Sequence, residues 1–195
     1  MAKRQTHIRE RYWRALGKFV DDFAAVEMAM VLLLMIRTNT PLDVGRAIFS
    51  GVRIKEAMAL IGRVGEVRPL DDETKADQEY VFAQLRVIIE FRNDILHYGS
   101  QTITPTEFEV SNWLIALDES RLRKQRISAK TLLQLVHDLR KIELHLQSRH
   151  ILRDAVTRSE QRVLRSSWRY IPPEQAPRRR KTRGNVPARQ RQRAS

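Results

Sequence analysis

The stretch "VIIEFRNDILHYGS", residues 87–100, is the most informative part of this sequence because a charge interrupts an apolar stripe in it. Apolar residues recur there and just upstream at three- or four-residue spacing, as on one face of an α-helix. The stripe consists of Val81, Phe82, Leu85, Ile88 and Ile89. Its next position is Arg92, and Ile95 and Leu96 continue it. A guanidinium therefore stands where an apolar side chain is expected, and it needs a polar partner or a function.

The same stretch is predicted to end a long helix. Asp71 or Asp72 is a good N-cap, so the helix is expected to run from there to about Tyr98. Gly99 follows at the position where a left-handed residue commonly closes a helix. His97 is therefore expected in the last turn of this helix.

Periodicity and capping signals predict further helices elsewhere. They cover about residues 6–37, 42–49 and 52–64, and a last long helix runs from its N-cap Ser128 to about 153. Residues 100–112 are typical of a loop, with a strand-like alternation at Phe108 and Val110, and residues 113–125 fit either a strand or a helix. We expect an all-α protein: a bundle of about five helices with a small insertion before the last long helix.

Composition limits the class of protein. The chain has 195 residues, of which 42% are hydrophobic, enough for one domain with a core. It has no cysteine, which excludes disulfides, thiolate nucleophiles and cysteine-based zinc sites, and suits a reducing compartment. The most apolar run, residues 24–36, contains Glu27 and is too short to span a bilayer. The N-terminus is charged where a signal peptide is apolar, so we expect a soluble, cytoplasmic protein without a membrane partner.

The positive charge is concentrated at the C-terminal end. The net charge is +13, but residues 158–195 hold twelve Lys or Arg and two Glu, so residues 1–157 are nearly balanced. This end contains four prolines and few apolar residues, which favours disorder. We expect a helical domain over 1–157 and a basic, disordered tail over 158–195.

Basic clusters in the tail are candidates for nucleic-acid binding, since their attraction to phosphate is independent of sequence. The candidates are Arg178, Arg179, Arg180, Lys181, Arg183, Arg189, Arg191 and Arg193, with the aromatic residues Trp168 and Tyr170. The two aromatic rings either stack on bases or dock on the helical body. The alternatives for the tail are a solubilising end, an acidic protein partner or ribosome association.

Arg92, Asn93 and His97 form the candidate catalytic site. Spacing alone is weak evidence, because Arg140 and His145 repeat it in an ordinary charged helix. The pair Arg92 and His97 differs from this second pair because its arginine lies on an apolar stripe and its histidine ends a helix. Asn93 and His97 are four residues apart, so they lie on one helical face. The structural alternative is that the arginine bonds a carboxylate or helix-end carbonyls while the histidine caps the helix.

The segment "FRNDILHYG" resembles the signature of HEPN domains, in which an arginine, usually a polar residue, three more residues and a histidine follow one another. The resemblance covers roughly residues 6–155, and its specific element is Arg92–His97. It implies a bundle of four or five helices that dimerises with the two motifs facing each other. Many such domains cleave RNA without a metal, often as toxins or as abortive-infection and antiviral effectors. Others are inactive binding or scaffold modules.

The chemistry of these residues suits RNA cleavage through the 2′-hydroxyl. That reaction needs a base, an acid and positive charge on the phosphate, and imidazole and guanidinium supply these functions. A single histidine per chain would have to act as both base and acid, whereas a two-fold dimer supplies two histidines. In this interpretation the apolar stripe is the subunit interface, and Glu90 and Asp94 pair with Arg92 of the second copy.

The sequence therefore predicts a metal-independent, cofactor-free endoribonuclease with a composite site in a homodimer. The alternatives are a non-catalytic nucleic-acid-binding or scaffold protein, and a toxin whose activity an antitoxin or other regulatory protein masks. His7, His137, His145 and His150 lack metal-ligand spacing and are assigned surface or packing roles.

Overall fold

The quoted stretch forms the end of helix α4, Asp72–Tyr98. Its N-cap is Asp71, whose side chain accepts a hydrogen bond from the backbone N–H of Thr74 at 2.8 Å. Gly99 follows the last helical residue with φ 65°, a backbone conformation that favours glycine, and its N–H donates to the carbonyl of Ile95. Both predicted ends of this helix are confirmed.

The computed structural model describes residues 2–104, 106–113, 115–122, 124–152 and 156–172, with side chains from residue 6 onward. Within these residues it contains six α-helices, one three-stranded sheet, a 3₁₀ turn at Glu119–Arg121 and a π-helical turn at Leu146–Ile151. The helices are α1 (Ala2–Thr38), α2 (Leu42–Phe49), α3 (Ile54–Val67), α4, α5 (Ala129–His145) and α6 (Arg158–Arg165). The all-α prediction is confirmed in this coarse form. No helix of the described residues is both long and apolar enough to cross a bilayer.

The insertion between α4 and α5 is an antiparallel sheet in the order β1 (Gln101–Thr102), β2 (Phe108–Ser111) and β3 (Lys124–Ile127). Phe108 pairs with Ile127 in the register of β2 and β3. Phe108 and Val110 are each 2% exposed, as their predicted strand alternation requires. The Phe108 ring stacks on Tyr12 of α1 with centroids 3.7 Å apart, which fastens the sheet to the helical body. Of the ambiguous residues 113–125, the last two belong to β3.

The apolar stripe of α4 is buried within the chain itself. Val81, Leu85 and Ile88 have no exposed surface, and Phe91 meets Phe19 of α1 edge to face at 6.0 Å. The prediction that this stripe forms a subunit interface is therefore wrong, because the protomer's own core already covers it.

The folded part extends past the boundary predicted at residue 157, to Pro172 at least. Helix α6 begins at a capping box formed by Thr157 and Glu160. Beyond it, the fully buried Asp138 carboxylate accepts hydrogen bonds from the backbone N–H groups of Arg169 and Tyr170, each at 2.9 Å. These polar anchors hold a segment whose apolar content is low, which is why hydrophobic patterning predicted disorder there.

Lys141 is the second anchor of this segment, and its side chain is fully buried. Its Nζ lies 4.1 Å from the centroid of Trp168, donates to the hydroxyl of Tyr80 at 3.2 Å and donates to the carbonyl of Ser166. A buried ammonium is tolerated only with such partners. The cation therefore ties α5 to α4 and to the segment after α6.

A buried cluster joins α4 to the end of α5. His145 Nδ1 lies 3.2 Å from the carboxylate of Asp77, and His150 Nε2 lies 3.5 Å from one of its oxygens. The π-helical turn widens the helix, so two histidines five residues apart reach one carboxylate. Burial raises the pKa of Asp77, but the contacts with His145 and His150 and the charge of Arg149 outweigh it and hold that pKa well below its ordinary value.

We predict that Asp77→Asn lowers the free energy of unfolding by about 1–3 kcal/mol near neutral pH. Because the folded-state pKa of Asp77 is depressed, its contribution is present above its ordinary pKa of about 4 and is lost as the pH falls further. Urea unfolding of wild type and variant should therefore differ most near neutrality and converge in acid.

Glu79→Gln is the matched control, since Glu79 is exposed on the same helix. It should leave stability within about 0.5 kcal/mol of wild type. A difference between wild type and Asp77→Asn that stays constant down to acid pH would contradict an electrostatic role for Asp77.

Candidate active site at the end of helix α4

Arg92 is a half-buried cation at the edge of the core. Its guanidinium carbon lies 5.3 Å from the centroid of Phe23 on α1, and Nη1 donates to Oδ1 of Asn93 at 3.1 Å. Its Nε is buried without a hydrogen-bond partner in the described structure. No carboxylate of the described residues forms a salt bridge with it. The structural alternative, in which a carboxylate neutralises Arg92, is therefore not realised among the described residues.

His97 lies in the last turn of α4 with its side chain exposed. Its nearest aromatic neighbour is Tyr98, with ring centroids 6.4 Å apart. Across the described residues its imidazole forms no hydrogen bond or ion pair, so it does not cap the helix. The structure thus brings Arg92 into contact with Asn93, while His97 stands one turn further along and contacts neither.

Two carboxylates share the helical face of His97. Glu90, Asp94 and His97 follow one another at four- and three-residue spacing, which sets them along one side of α4. Glu90 and Asp94 border a cavity of about 490 Å³ between α4, β2, β3 and the segment ending at Pro172. They therefore face away from Arg92 of their own chain, and their pairing with Arg92 of a second copy remains a prediction.

The aromatic residues predicted to bind nucleic acid are docked on the helical body. Trp168 stacks on Tyr80 with centroids 4.8 Å apart. Tyr170 is 6% exposed, its ring meets Phe91 at 5.4 Å, and its hydroxyl accepts a hydrogen bond from Gln125 at 2.9 Å. Docking was one of the two alternatives for these rings. The basic candidates from Arg178 to Arg193 lie outside the described residues.

Helix α1 carries features next to the site that the sequence interpretation did not use. Trp13, Val20 and Met28 are 55%, 40% and 64% exposed although they are apolar. A second face carries the cations Arg11 and Lys18. The signal for both faces is three- and four-residue spacing along α1.

The site can bind an anion and exchange a proton. A half-buried guanidinium that no carboxylate of the described residues neutralises can donate to a phosphate oxygen, and imidazole is the side chain that exchanges protons near neutral pH. No group of three or more His, Cys, Asp or Glu among the described residues is arranged to hold a metal ion.

In comparisons with family models, with curated proteins and with solved structures, nothing matches this chain. The geometry of α4 and the resemblance of Arg92–His97 to the HEPN motif are therefore what supports a function.

We predict that Arg92→Met does not lower the free energy of unfolding and raises it by up to about 1 kcal/mol, because it removes a buried N–H without a partner and keeps the packing on Phe23. Thermal and urea unfolding measure this. Arg140→Met is the control, since Arg140 pairs with Asp22 at 3.2 Å, and it should cost up to about 1 kcal/mol. A loss larger than that of the control in Arg92→Met would assign Arg92 a structural role.

Proposed function

We propose that this protein is a HEPN-type endoribonuclease that cleaves RNA through its own 2′-hydroxyl, without a metal or other cofactor, at a site shared between two copies. The observation that carries the proposal is the half-buried guanidinium of Arg92, which has no carboxylate partner in the described structure and lies one turn from the exposed His97. A cation kept in this state costs stability, and binding of a phosphate offsets that cost.

In the proposed reaction the 2′-oxygen attacks the adjacent phosphorus and the bond from phosphorus to the 5′-oxygen breaks. One His97 takes the proton of the 2′-hydroxyl as general base, and His97 of the second copy gives a proton to the departing 5′-oxygen. Arg92 stabilises the crowded phosphate, and Asn93 orients the guanidinium through their hydrogen bond. The products are a 2′,3′-cyclic phosphate and a 5′-hydroxyl, and DNA is not a substrate because it lacks the attacking group.

The apolar face of α1 (Trp13, Gly17, Val20, Ala24 and Met28) supports the two-copy site. These positions follow one another at three- or four-residue spacing and are exposed, in a chain of which 30% is charged. Such a seam is typical of helix pairing. An added Cβ at Gly17 meets nothing within 4 Å in the protomer, so the space beside it is open.

This face is complementary to itself in an antiparallel arrangement. Setting Trp13 opposite Ala24 of the second copy sets Gly17 opposite Val20, so Trp13 and Val20 each meet a small residue, while Met28 falls opposite Arg9. The two-fold symmetry repeats both contacts, as an isologous interface requires.

The borders of the apolar face also favour a second copy as its partner. Arg14 and Asp21 lie on the same edge, so antiparallel pairing brings opposite charges together across the seam. Phe23, the residue before Ala24, is the ring over which Arg92 is held, so the seam runs beside the site.

The tail and the cellular role complete the proposal. The basic clusters between Arg178 and Arg193 raise the affinity for RNA through phosphate contacts. The protein acts in the cytoplasm as a toxin or as an antiviral or abortive-infection effector, and an antitoxin or other regulatory protein masks it.

The second candidate function is a non-catalytic RNA-binding or scaffold protein. One observation favours it: His97 contacts neither Arg92 nor Asn93 within the described chain, so a single copy does not assemble the three residues. This function needs the basic residues and not the imidazole.

We predict that the wild-type protein cuts labelled single-stranded RNA in excess EDTA and leaves matching DNA intact. His97→Ala and Arg92→Ala should each lose about 10²-fold or more in rate, because a proton-transfer or charge-stabilising group is removed. Arg86→Ala, an exposed arginine on the same helix, is the control and should keep wild-type activity. Bound but uncut RNA with wild type would favour the second candidate function.

We predict that Ala24→Glu converts the dimer into a monomer, because it buries a charge in the seam. Analytical ultracentrifugation at micromolar concentration measures the state, and the rate of RNA cleavage should fall about 10-fold or more with it. Val67→Glu is the control, since Val67 is 82% exposed at the end of α3. A monomeric variant with full cleavage would show that one chain holds a complete site.

A further inference from the structure

A row of basic side chains occupies another face of α1, beside α5. His7, Arg11, Arg14 and Lys18 follow one another at four-, three- and four-residue spacing, which aligns them along one side of the helix. Together with Glu10, Ala15 and Leu133 they line a groove of about 420 Å³. This groove belongs to the helical body.

The groove keeps most of its charge unneutralised. Its one carboxylate, Glu10, lies 3.8 Å from His7, and Arg11 and Lys18 form no salt bridge with any described residue. Elsewhere between α1 and α5 an arginine does have a carboxylate partner, since Arg140 forms a salt bridge with Asp22 at 3.2 Å. Cations that line a concave surface without acidic partners attract an anion from outside the chain.

The length and regular spacing of the row from His7 to Lys18 indicate which kind of anion fits the groove. From His7 to Lys18 the helix rises about 16 Å, which corresponds to four or five nucleotides at the rise of about 3.4 Å in a stacked strand. Repeated cations along a line match a polyanion with evenly spaced charges better than they match a single phosphate. Ala15 and Leu133 give the groove apolar surface between the charges, which suits sugar carbons.

We infer that this groove binds the phosphodiester backbone of single-stranded RNA and guides the strand to the end of α4. This inference rests on the proposed function for the identity of the polyanion. Arg11 and Lys18 contact phosphates, and Arg14 adds charge at the border with the apolar face. The contacts carry no base recognition, because they reach only the backbone.

Two contacts relate the N-terminal turns of α1 to the end of α4. Arg9, in the same turns of α1, donates to the side chain of Thr102 at 3.4 Å, and Tyr12 stacks on Phe108. Thr102 follows His97 by five residues, directly after α4 ends. The N-terminal turns of α1 and the end of α4 are therefore at the same end of the helical body.

The test measures binding by the full chain to a labelled 2′-O-methyl RNA strand, which the 2′-hydroxyl mechanism cannot cleave. Fluorescence anisotropy is recorded between about 50 and 200 mM salt for wild type and for Arg11→Gln with Lys18→Gln. The control pair is Lys55→Gln with Arg63→Gln, two exposed cations of α3 that remove the same charge. Arg14 stays unchanged because it borders the apolar face, and thermal unfolding checks that each variant is folded.

We expect the groove variant to lose about 10-fold or more in affinity at the lower salt. The slope of log K against log salt should decrease by about 1.4, since each lost phosphate contact on a single strand contributes about 0.7. The control pair should stay within about 2-fold of wild type. Equal losses in both variants would overturn the inference, since only general charge would then matter. An unchanged RNA affinity combined with lost binding of a polyglutamate probe would also overturn it, in favour of an acidic protein partner.

The outcome is independent of catalysis. Cleavage that persists in His97→Ala would refute the proposed reaction while leaving groove binding measurable on the modified strand. Loss of cleavage in His97→Ala with wild-type binding by the groove variant would keep the reaction and refute the groove.

Discussion

Burial of one face of α1 is the constraint on which the rest of the structure depends. Tyr12, Phe19, Val26 and Leu33 recur every seven residues, and none of them has exposed surface. Each such side chain contributes about 1.5–3 kcal/mol by leaving water. Helix α5 packs along this helix more extensively than any other element, α3 packs on it next, and the sheet is fastened to it through Tyr12. Once this face is fixed inward, the orientation of the other faces of α1 is fixed as well.

Polar anchors then determine how far the folded body extends along the chain. Asp138 and Lys141 on α5 have no exposed surface, and both are satisfied largely by the segment after α6. A buried charge without partners costs several kcal/mol, so α5 and this segment need each other. Tyr170 packs against Phe91, the residue before Arg92, so the anchored segment also supports the helix that presents the site.

The elements with local signals were predictable, and those with non-local causes were not. Helix α4 begins at Asp71 and ends before Gly99 because capping and positive φ are properties of single residues, and α2 has the predicted bounds. The docking of Trp168 and Tyr170 remained one of two alternatives, because it depends on Asp138 and Lys141, which look like surface charges in the sequence. The contact of His145 and His150 with Asp77 was missed because the spacing was judged for an α-helix, whereas the chain forms a π-helical turn there.

The candidate site shows the same division. Its position on the helix followed from periodicity, and its half-buried Arg92 followed from the interruption of the stripe. The sequence did not show whether that stripe is buried in the chain's own core or exposed to a partner. This depends on how α1 packs against α4 and α5. The exposed apolar face was expected on α4 and is found on α1. This face, Trp13–Met28, borders Phe23, the ring over which Arg92 lies.

One helix thereby carries three different surfaces: a core face, an apolar face and a cationic face. Helix α1 has 37 residues, and its N-terminal half carries both the groove cations and most of the apolar face. The two exposed faces lie side by side on the same turns, because Arg14 separates Trp13 from the groove. A second copy seated on the apolar face would extend the cationic surface across the pair and set it beside both ends of α4. Among the described residues His97 forms no hydrogen bond or ion pair and no carboxylate neutralises Arg92, and the cationic face of α1 has the charge to attract a phosphate chain.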